Sequence, residues 1–250
     1  MKIRKILISL ICSIFVLSIF SNMVFAVDTS RIEVSSPSAI LIEARTGRVL
    51  YEKEANKRMY PASTTKMMTA IIVLENVTDL KEMVTVKYDA IYSVPSGYSS
   101  DLLKVGEELS VEEMLYALLV KSSNEAGNVL AEHVAGGVDS FASMMNTKAS
   151  EIGCKDTHFV NTNGVHEDDH YTTAYDLSLI AKYAMKNDVF RKIVSTASHT
   201  LPSTNKYSRT DRNLITTNDF IKKSSKNYYE NSVGIKTGFT SKSKYCLVAR

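Results

Sequence analysis

Three kinds of hydrophobic pattern follow one another along the chain. Near the start, "SAILIEA" (38–44) and "RVLYEKE" (48–54) are two apolar-rich runs. "RTG" (45–47) separates them, and Gly47 is free to take a positive φ, so a β-hairpin is expected. "MYPAS" then leads into "TTKMMTAIIVLENV" (64–77), a mostly apolar run opened by Pro61 and Ser63, which predicts a buried helix. Segment 81–110 mixes short strands with turns. Val111, Met114, Leu115, Leu118 and Leu119 recur at i, i+3, i+4, i+7 and i+8, the spacing of an amphipathic helix. "KSSN" (121–124) breaks that pattern. A second helix, carrying Ala126, Val129, Leu130 and Val134, ends at Gly136–Gly137; a third, "SFASMMNTKASEIG" (140–153), is stopped by Gly153. "AYDLSLIAKYAMKN" (174–187) predicts a fourth, and "NSVGIKTGFTSKSKYCLVAR" (231–250) reads as two strands around a turn. Strands at both ends with a helical block between them predict an α+β class, an antiparallel sheet with a helical block.

The first residues stand outside this fold. Lys2, Arg4 and Lys5 precede the apolar "ILISLICSIFVLSIF" (6–20), and "VFA" (24–26) offers small residues for cleavage. Residues 1–26 are therefore expected to be a secretory signal peptide, leaving a domain over 27–250. Its removal takes away three positive charges and no acids, so the formal +3 of the chain becomes zero. No basic stripe is interleaved with aromatics, and nothing asks for nucleic acid. Cys12 leaves with the leader. Cys154 and Cys246 are expected to be free, since a domain of this size builds its core without a staple. The chain ends at Arg250 inside "YCLVAR", which reads as the middle of a strand, so the domain is expected to continue.

Two stretches suggest chemistry. "HEDDH" (166–170) matches the H-E-x-x-H of zinc peptidases, but two histidines reach one metal only if the segment is helical. "NTNG" (161–164) before it is turn chemistry, "YTT" (171–173) after it is aromatic and β-branched, and no apolar face spans 160–173. A polar loop is expected, with its acids capping the helix that begins near Ala174. His133, His158 and His199 have no ligand spacing. No metal or other cofactor is called for.

"PASTTK" (61–66) is the second stretch. S-x-x-K places a serine and a lysine one helical turn apart on one face. A desolvated lysine is able to stay neutral and take the hydroxyl proton. The pattern is common, and it recurs at Ser203–Lys206 and Ser241–Lys244, in polar stretches without periodicity. Only Ser63 opens a long apolar helix; its plain alternative is a helix cap after a proline. Downstream come "SSN" (122–124), at the break between two helices, and "KTG" (236–238), in a strand-like segment. "SSN" alone is also readable as a helix N-cap. In this order and setting, however, the trio marks the penicillin-binding proteins and class A β-lactamases.

The chain accordingly resembles the low-molecular-mass penicillin-binding proteins, the serine D-alanyl-D-alanine carboxypeptidases of the S11 peptidase group, from about Val34 to Arg250. "AILIEARTGRVLYEKEANKRMYPASTTKMMTA" is similar to that family's opening hairpin and nucleophile helix, and "NTNGVHEDDHYTTAYDLSLIAKYAM" to its loop and following helix. The resemblance implies a β-lactamase/transpeptidase-like fold, no zinc at "HEDDH", and an exported enzyme at the outer face of the cytoplasmic membrane. Its substrate would be the peptidoglycan pentapeptide stem, and β-lactam antibiotics would acylate it. Residue by residue, it implies Ser63 as nucleophile, Lys66 as its base, Ser122 as proton relay and Asn124 as orienting amide. Lys236 and Thr237 would meet the substrate carboxylate, with Gly238 in the same motif. The N–H groups of Ser63 and Phe239 would form an oxyanion hole. The family's further sheet, β-rich second domain and membrane-lying C-terminal helix would follow Arg250. A class A-like β-lactamase and a non-catalytic wall-binding scaffold are the alternatives. The first needs a deacylating glutamate in an E-x-x-L-N loop, a pattern missing from 160–173. The second needs none of the trio.

Overall fold

The computed structural model describes residues 33–98, 100 and 102–250. The expected signal peptide, 1–26, lies outside the described residues. The apolar run after Ser63 becomes helix α1 (Lys66–Asn76), preceded by one tight 3₁₀ turn (Ala62–Thr65). From Met67 to Val73 the helix is apolar but for Thr69, so that stretch has no solvent face to offer; only Glu75 and Asn76 at its end are exposed. Residues 66–73 are all buried.

The other helices are α2 (Tyr88–Tyr92), α3 (Val111–Tyr116), α4 (Asn124–Ala135), α5 (Val138–Ile152), α6 (Ala174–Ala184) and α7 (Asp188–Val194). Of these, α4, α5, α6 and α7 pack against α1, while α2 and α3 pack against α4. The expected amphipathic stripe is borne out across α3 and the π turn (Ala117–Lys121) that continues it: Val111, Met114, Leu115, Leu118 and Leu119 are all buried. Glycines end α4 and α5 as expected; Gly136 and Gly153 take positive φ where the helices stop. The helix expected over 174–187 is α6, which stops at Ala184; a further helix, α7, begins at Asp188, where Asn187 caps it by accepting from Phe190 N–H at 3.0 Å. Thr173, whose hydroxyl accepts from Asp176 N–H at 3.0 Å, caps α6. Asp168 and Asp169 are exposed and Glu167 with them, so the acids of "HEDDH" do not cap that helix. A one-residue hydroxyl at the boundary reaches the free N–H groups that those acids, several residues earlier, do not.

The strands are β1 (Ala39–Ile42), β2 (Val49–Lys53), β3 (Met83–Thr85), β4 (Glu108–Ser110), β5 (Ser198–Thr200), β6 (Asn213–Ile215), β7 (Ile235–Thr240) and β8 (Lys244–Ala249). All pairing is antiparallel, as expected. Among the described residues it forms four separate two-stranded ribbons, β1–β2, β3–β4, β5–β6 and β7–β8, rather than one sheet. Such ribbons hold only when packed on something apolar. Each here rests on the helical core: β1–β2 on α6, β3–β4 on α3 and α4, β5–β6 on the end of α3, and β7–β8 on the 3₁₀ turn before α1. Gly47 (φ +83°) closes the first ribbon, and its N–H donates to Glu43 O at 2.8 Å. No helix among the described residues is long and apolar enough to cross a membrane. Cys154 and Cys246 are free thiols.

"HEDDH" is a loop with a turn, not a helix. His166 and His170 part company there. His170 is buried; its Nδ1 accepts from Val160 N–H at 3.1 Å, so its other ring nitrogen, Nε2, donates to Thr65 Oγ1 at 2.8 Å. The ring thus clips the 160–164 loop to the start of α1. Burial is the main force holding it neutral, pushing its pKa down from 6.5 to about 3. The unfolded chain binds a proton at this histidine below pH 6.5 while the folded one does not until about pH 3. The native state is therefore favoured fully above pH 6.5 and loses on the order of 4 kcal/mol as pH falls to about 3. Denaturant titration at each pH is expected to show this slope in the wild type and a flatter one in His170→Gln.

Candidate active site

The geometry begins with the 3₁₀ turn. Ala62 is buried with φ +48°, in the left-handed region that alanine avoids, and this places Ser63 at the mouth of a cleft. Ser63 caps nothing. Its Oγ lies 2.9 Å from Lys66 Nζ, one turn along. The capping alternative is thereby set aside for this serine.

Lys66 is fully buried at the head of an apolar helix. Its Nζ has three oxygen neighbours: Ser63 Oγ, Asn124 Oδ1 at 2.6 Å and the main-chain carbonyl of Asn163 at 2.8 Å. Burial depresses the pKa of this amine far below 10.5, and the nearby Lys236 charge depresses it further; Glu125 pulls the other way. The two carbonyl-type acceptors have no hydrogen to give, so each takes one N–H from the amine. The third direction points at Ser63. In the neutral amine that direction is the lone pair, poised to accept the serine proton.

Asn124 is held so that its oxygen faces Lys66, because its Nδ2 donates to Tyr98 O at 2.6 Å. It is the first residue of α4, whose N-cap is Ser123, accepting from Ala126 N–H at 3.3 Å. Ser122 precedes it. The helix α3 widens into a π turn (Ala117–Lys121), and Ser122 then takes a left-handed conformation, φ 67°. That sharp break turns the chain so that Ser122 lines the same cleft as Ser63. Widened helical turns recur at functional sites.

β7 forms the opposite wall. A Cβ on Gly238 would stand 2.8 Å from Ser63 N and 3.0 Å from Ala62 Cβ, so only glycine lets the strand lie against the serine turn. Gly164 plays the matching part on the other side; its own Cβ would fall 1.8 Å from Ala62 O. Thr237 and Phe239 line the cleft, and Thr237 Oγ1 is hydrogen-bonded to Thr217 Oγ1. Lys236, near the start of β7, is fully buried, close enough for its charge to act on Lys66, and donates to Thr237 O at 2.8 Å; burial pushes its pKa down to about 7.

The cleft holds about 530 Å³ and is also lined by Asn218, Asp219, Phe220, Asn227, Tyr245 and Leu247. Pattern reading missed these, because they come from the 216–229 loop and from β8, where no motif marks them. It missed Asn163 as well, which acts through its backbone and has no side-chain signal. Ser63, Lys66, Ser122, Asn124, Lys236, Thr237, Gly238 and Phe239 are brought together. Ser203 and Ser241 are not among the residues lining the cleft. Glu167 lies in a separate groove with Val160, Asn161, Asp168 and Asp169.

Comparison with known proteins agrees with this geometry. The model of the D-alanyl-D-alanine carboxypeptidase family, peptidase S11, matches residues 24–250. D-alanyl-D-alanine carboxypeptidase DacF of Bacillus subtilis (strain 168) is 36% identical over 98% of this chain, which spans 62% of that protein's length. The D-alanyl-D-alanine carboxypeptidase of Streptomyces sp. (strain K15) is also 36% identical, over 81% of this chain and 72% of its own. A solved structure of the Streptomyces K15 DD-transpeptidase, its S96A mutant, superposes with a TM-score of 0.81 at 33% identity, covering 88% of this chain and 86% of that one. Fold, ordered trio and family match coincide, and the chain belongs to the S11 peptidase family of D-alanyl-D-alanine carboxypeptidases.

Proposed function

We propose that this chain carries a serine D-alanyl-D-alanine carboxypeptidase site, which removes the terminal D-alanine from the peptidoglycan pentapeptide through an acyl-enzyme on Ser63. The observation that supports it above all is the buried amine of Lys66, tied by two carbonyl acceptors and aimed at Ser63 Oγ. Family membership supplies the substrate class.

Lys66 takes the Ser63 proton as the hydroxyl oxygen attacks the carbonyl between the two D-alanines. The oxyanion that forms is met by the N–H groups of Ser63 and Phe239; Gly238 lets β7, which carries Phe239, lie against the Ser63 turn. Ser122 passes a proton to the nitrogen of the leaving D-alanine. Lys236 supplies positive charge, and Thr237 a hydroxyl, for the substrate's terminal carboxylate. Asn124 orients both Lys66 and the substrate peptide. Water then releases the shortened stem and restores Ser63.

A β-lactam enters the same path and acylates Ser63. Its release is slow in this reading, since a β-lactamase-like deacylation needs a carboxylate at the ester, and Glu167 lies in the other groove. Residues 27–250 are the catalytic unit and 1–26 a cleaved export signal, on the strength of the basic start, apolar core and "VFA". Export would put the site at the outer face of the cytoplasmic membrane, with a segment following Arg250 lying on that membrane. The role is wall maturation and cell shape.

Two outcomes follow. Ser63→Ala is expected to abolish covalent labelling by a fluorescent penicillin and release of D-alanine from a muropeptide, while the thermal melt stays near wild type; unchanged D-alanine release would sink the proposal. Lys66→Ala is expected to slow acylation by about 10²- to 10⁴-fold, the usual weight of a general base. In the wild type the acylation rate rises with pH as Lys66 loses its proton, and that rise is expected well below pH 10.5. A midpoint at or above 10.5, followed by stopped-flow quenching, would remove Lys66 from the role.

A further inference from the structure

Next to Asn124 stands a carboxylate that the steps above leave unused. Glu125 lies in the first turn of α4 and is 1% exposed. A buried carboxylate persists only where donors meet it. Glu125 Oε1 accepts from Ser100 N–H at 2.7 Å. Oε2 accepts from Ser100 Oγ at 2.7 Å and from Ser123 Oγ at 2.8 Å. The carboxylate therefore grips Ser100 by both its backbone and its side chain.

That grip has a consequence two residues away. Tyr98 O is the acceptor that fixes the amide of Asn124, and the oxygen of that amide holds Lys66 Nζ. Tyr98 belongs to a surface stretch outside helices and strands, and Ser100 is pinned to the core by Glu125. We propose that Glu125 is a positioning residue for acylation: through Ser100 it braces Tyr98 against Asn124, and so keeps the Lys66 amine aimed at Ser63. This rests on Lys66 acting as the base.

A second effect accompanies the mechanical one. The titratable groups acting on Lys66 are Lys236 on β7 and Glu125 on α4, of opposite sign. Lys236 and burial push the amine towards its neutral form, and Glu125 restrains that push. Removing the Glu125 charge while keeping its shape leaves the first two unopposed.

The test uses penicillin acylation rates across pH, with thermal melts on the same samples and Ser63→Ala as control. Glu125→Gln keeps the shape and an acceptor. It is expected to retain most of the plateau rate, with the acid limb of the pH profile moved to lower pH. Glu125→Ala is expected to lose about 10²-fold at the plateau, the order of loss from misplacing a reacting group by about an ångström. Ser100→Ala removes one of the bonds with little risk to the fold, and a smaller plateau loss is expected from it. The proposal is overturned if folded Glu125→Ala, or Ser100→Ala where the former does not fold, keeps both the wild-type plateau and limb. It is overturned equally if Glu125→Gln melts as wild type and leaves the limb unmoved. Labelling that survives in Ser63→Ala would instead strike at the serine reading itself, whatever Glu125 does.

Discussion

Everything in this site depends on burying one amine. An ammonium removed from water is costly, and a lysine with no solvent at all is held closer to its neutral state than any surface lysine. Lys66 sits at the head of α1, whose residues 66–73 are all buried, and its side chain is fully buried with them. The rest of the fold makes that position tolerable. Asn124, at the start of one helix, and the Asn163 carbonyl, in a loop about a hundred residues from Lys66, supply its fixed acceptors. The ordering of α4, the 160–164 loop and β7 around α1 is what a single buried amine requires.

Close backbone packing is the other half of the arrangement. The Ala62–Ser63 turn is squeezed between Gly164 and Gly238, and neither position has room for a methyl group. Ala62 and Ser122 both hold positive φ, where side chains cost of order 1–3 kcal/mol. Such conformations persist only where surrounding contacts over-determine them. Here the contacts are the buried core of α1, the β7 wall and the break at the end of α3. Of the four non-glycine residues with positive φ among the described residues, two are thus Ser122 itself and the residue just before Ser63.

Much of this was legible in residue order. Apolar runs and periodicity located α1, α3, α4 and α5, because each of those helices buries several apolar residues; the two terminal hairpins showed as apolar-rich runs parted by a turn. The trio of Ser63–Lys66, Ser122–Asn124 and Lys236–Gly238 pointed to the cleft, because its chemistry demands particular side chains at particular breaks. What escaped had no such demand. β5 and β6 are three residues each, with twelve residues of polar chain between them, too short for alternation to register. The boundary at Asn187 hid inside a stretch of good helix formers. Asn163 contributes a carbonyl, which any residue has. The parting of the antiparallel strands into four ribbons depends on which core surface each one meets, and that is a property of the packed chain.

"HEDDH" shows why local context outranks the letters. A zinc site needs His166 and His170 on one helical face with free nitrogens. The loop instead sends them to different neighbours: His166 stands edge-on to Tyr60 with ring centroids 4.5 Å apart, while His170 goes into the core. Once buried, an imidazole must have both nitrogens met. The Val160 N–H and the Thr65 hydroxyl do so and leave no lone pair for a metal. The histidine that looked like a ligand is thereby a tie between the loop that carries Asn163 and the turn that carries Ser63. Its neutrality is forced by burial, the same force that depresses Lys66 most.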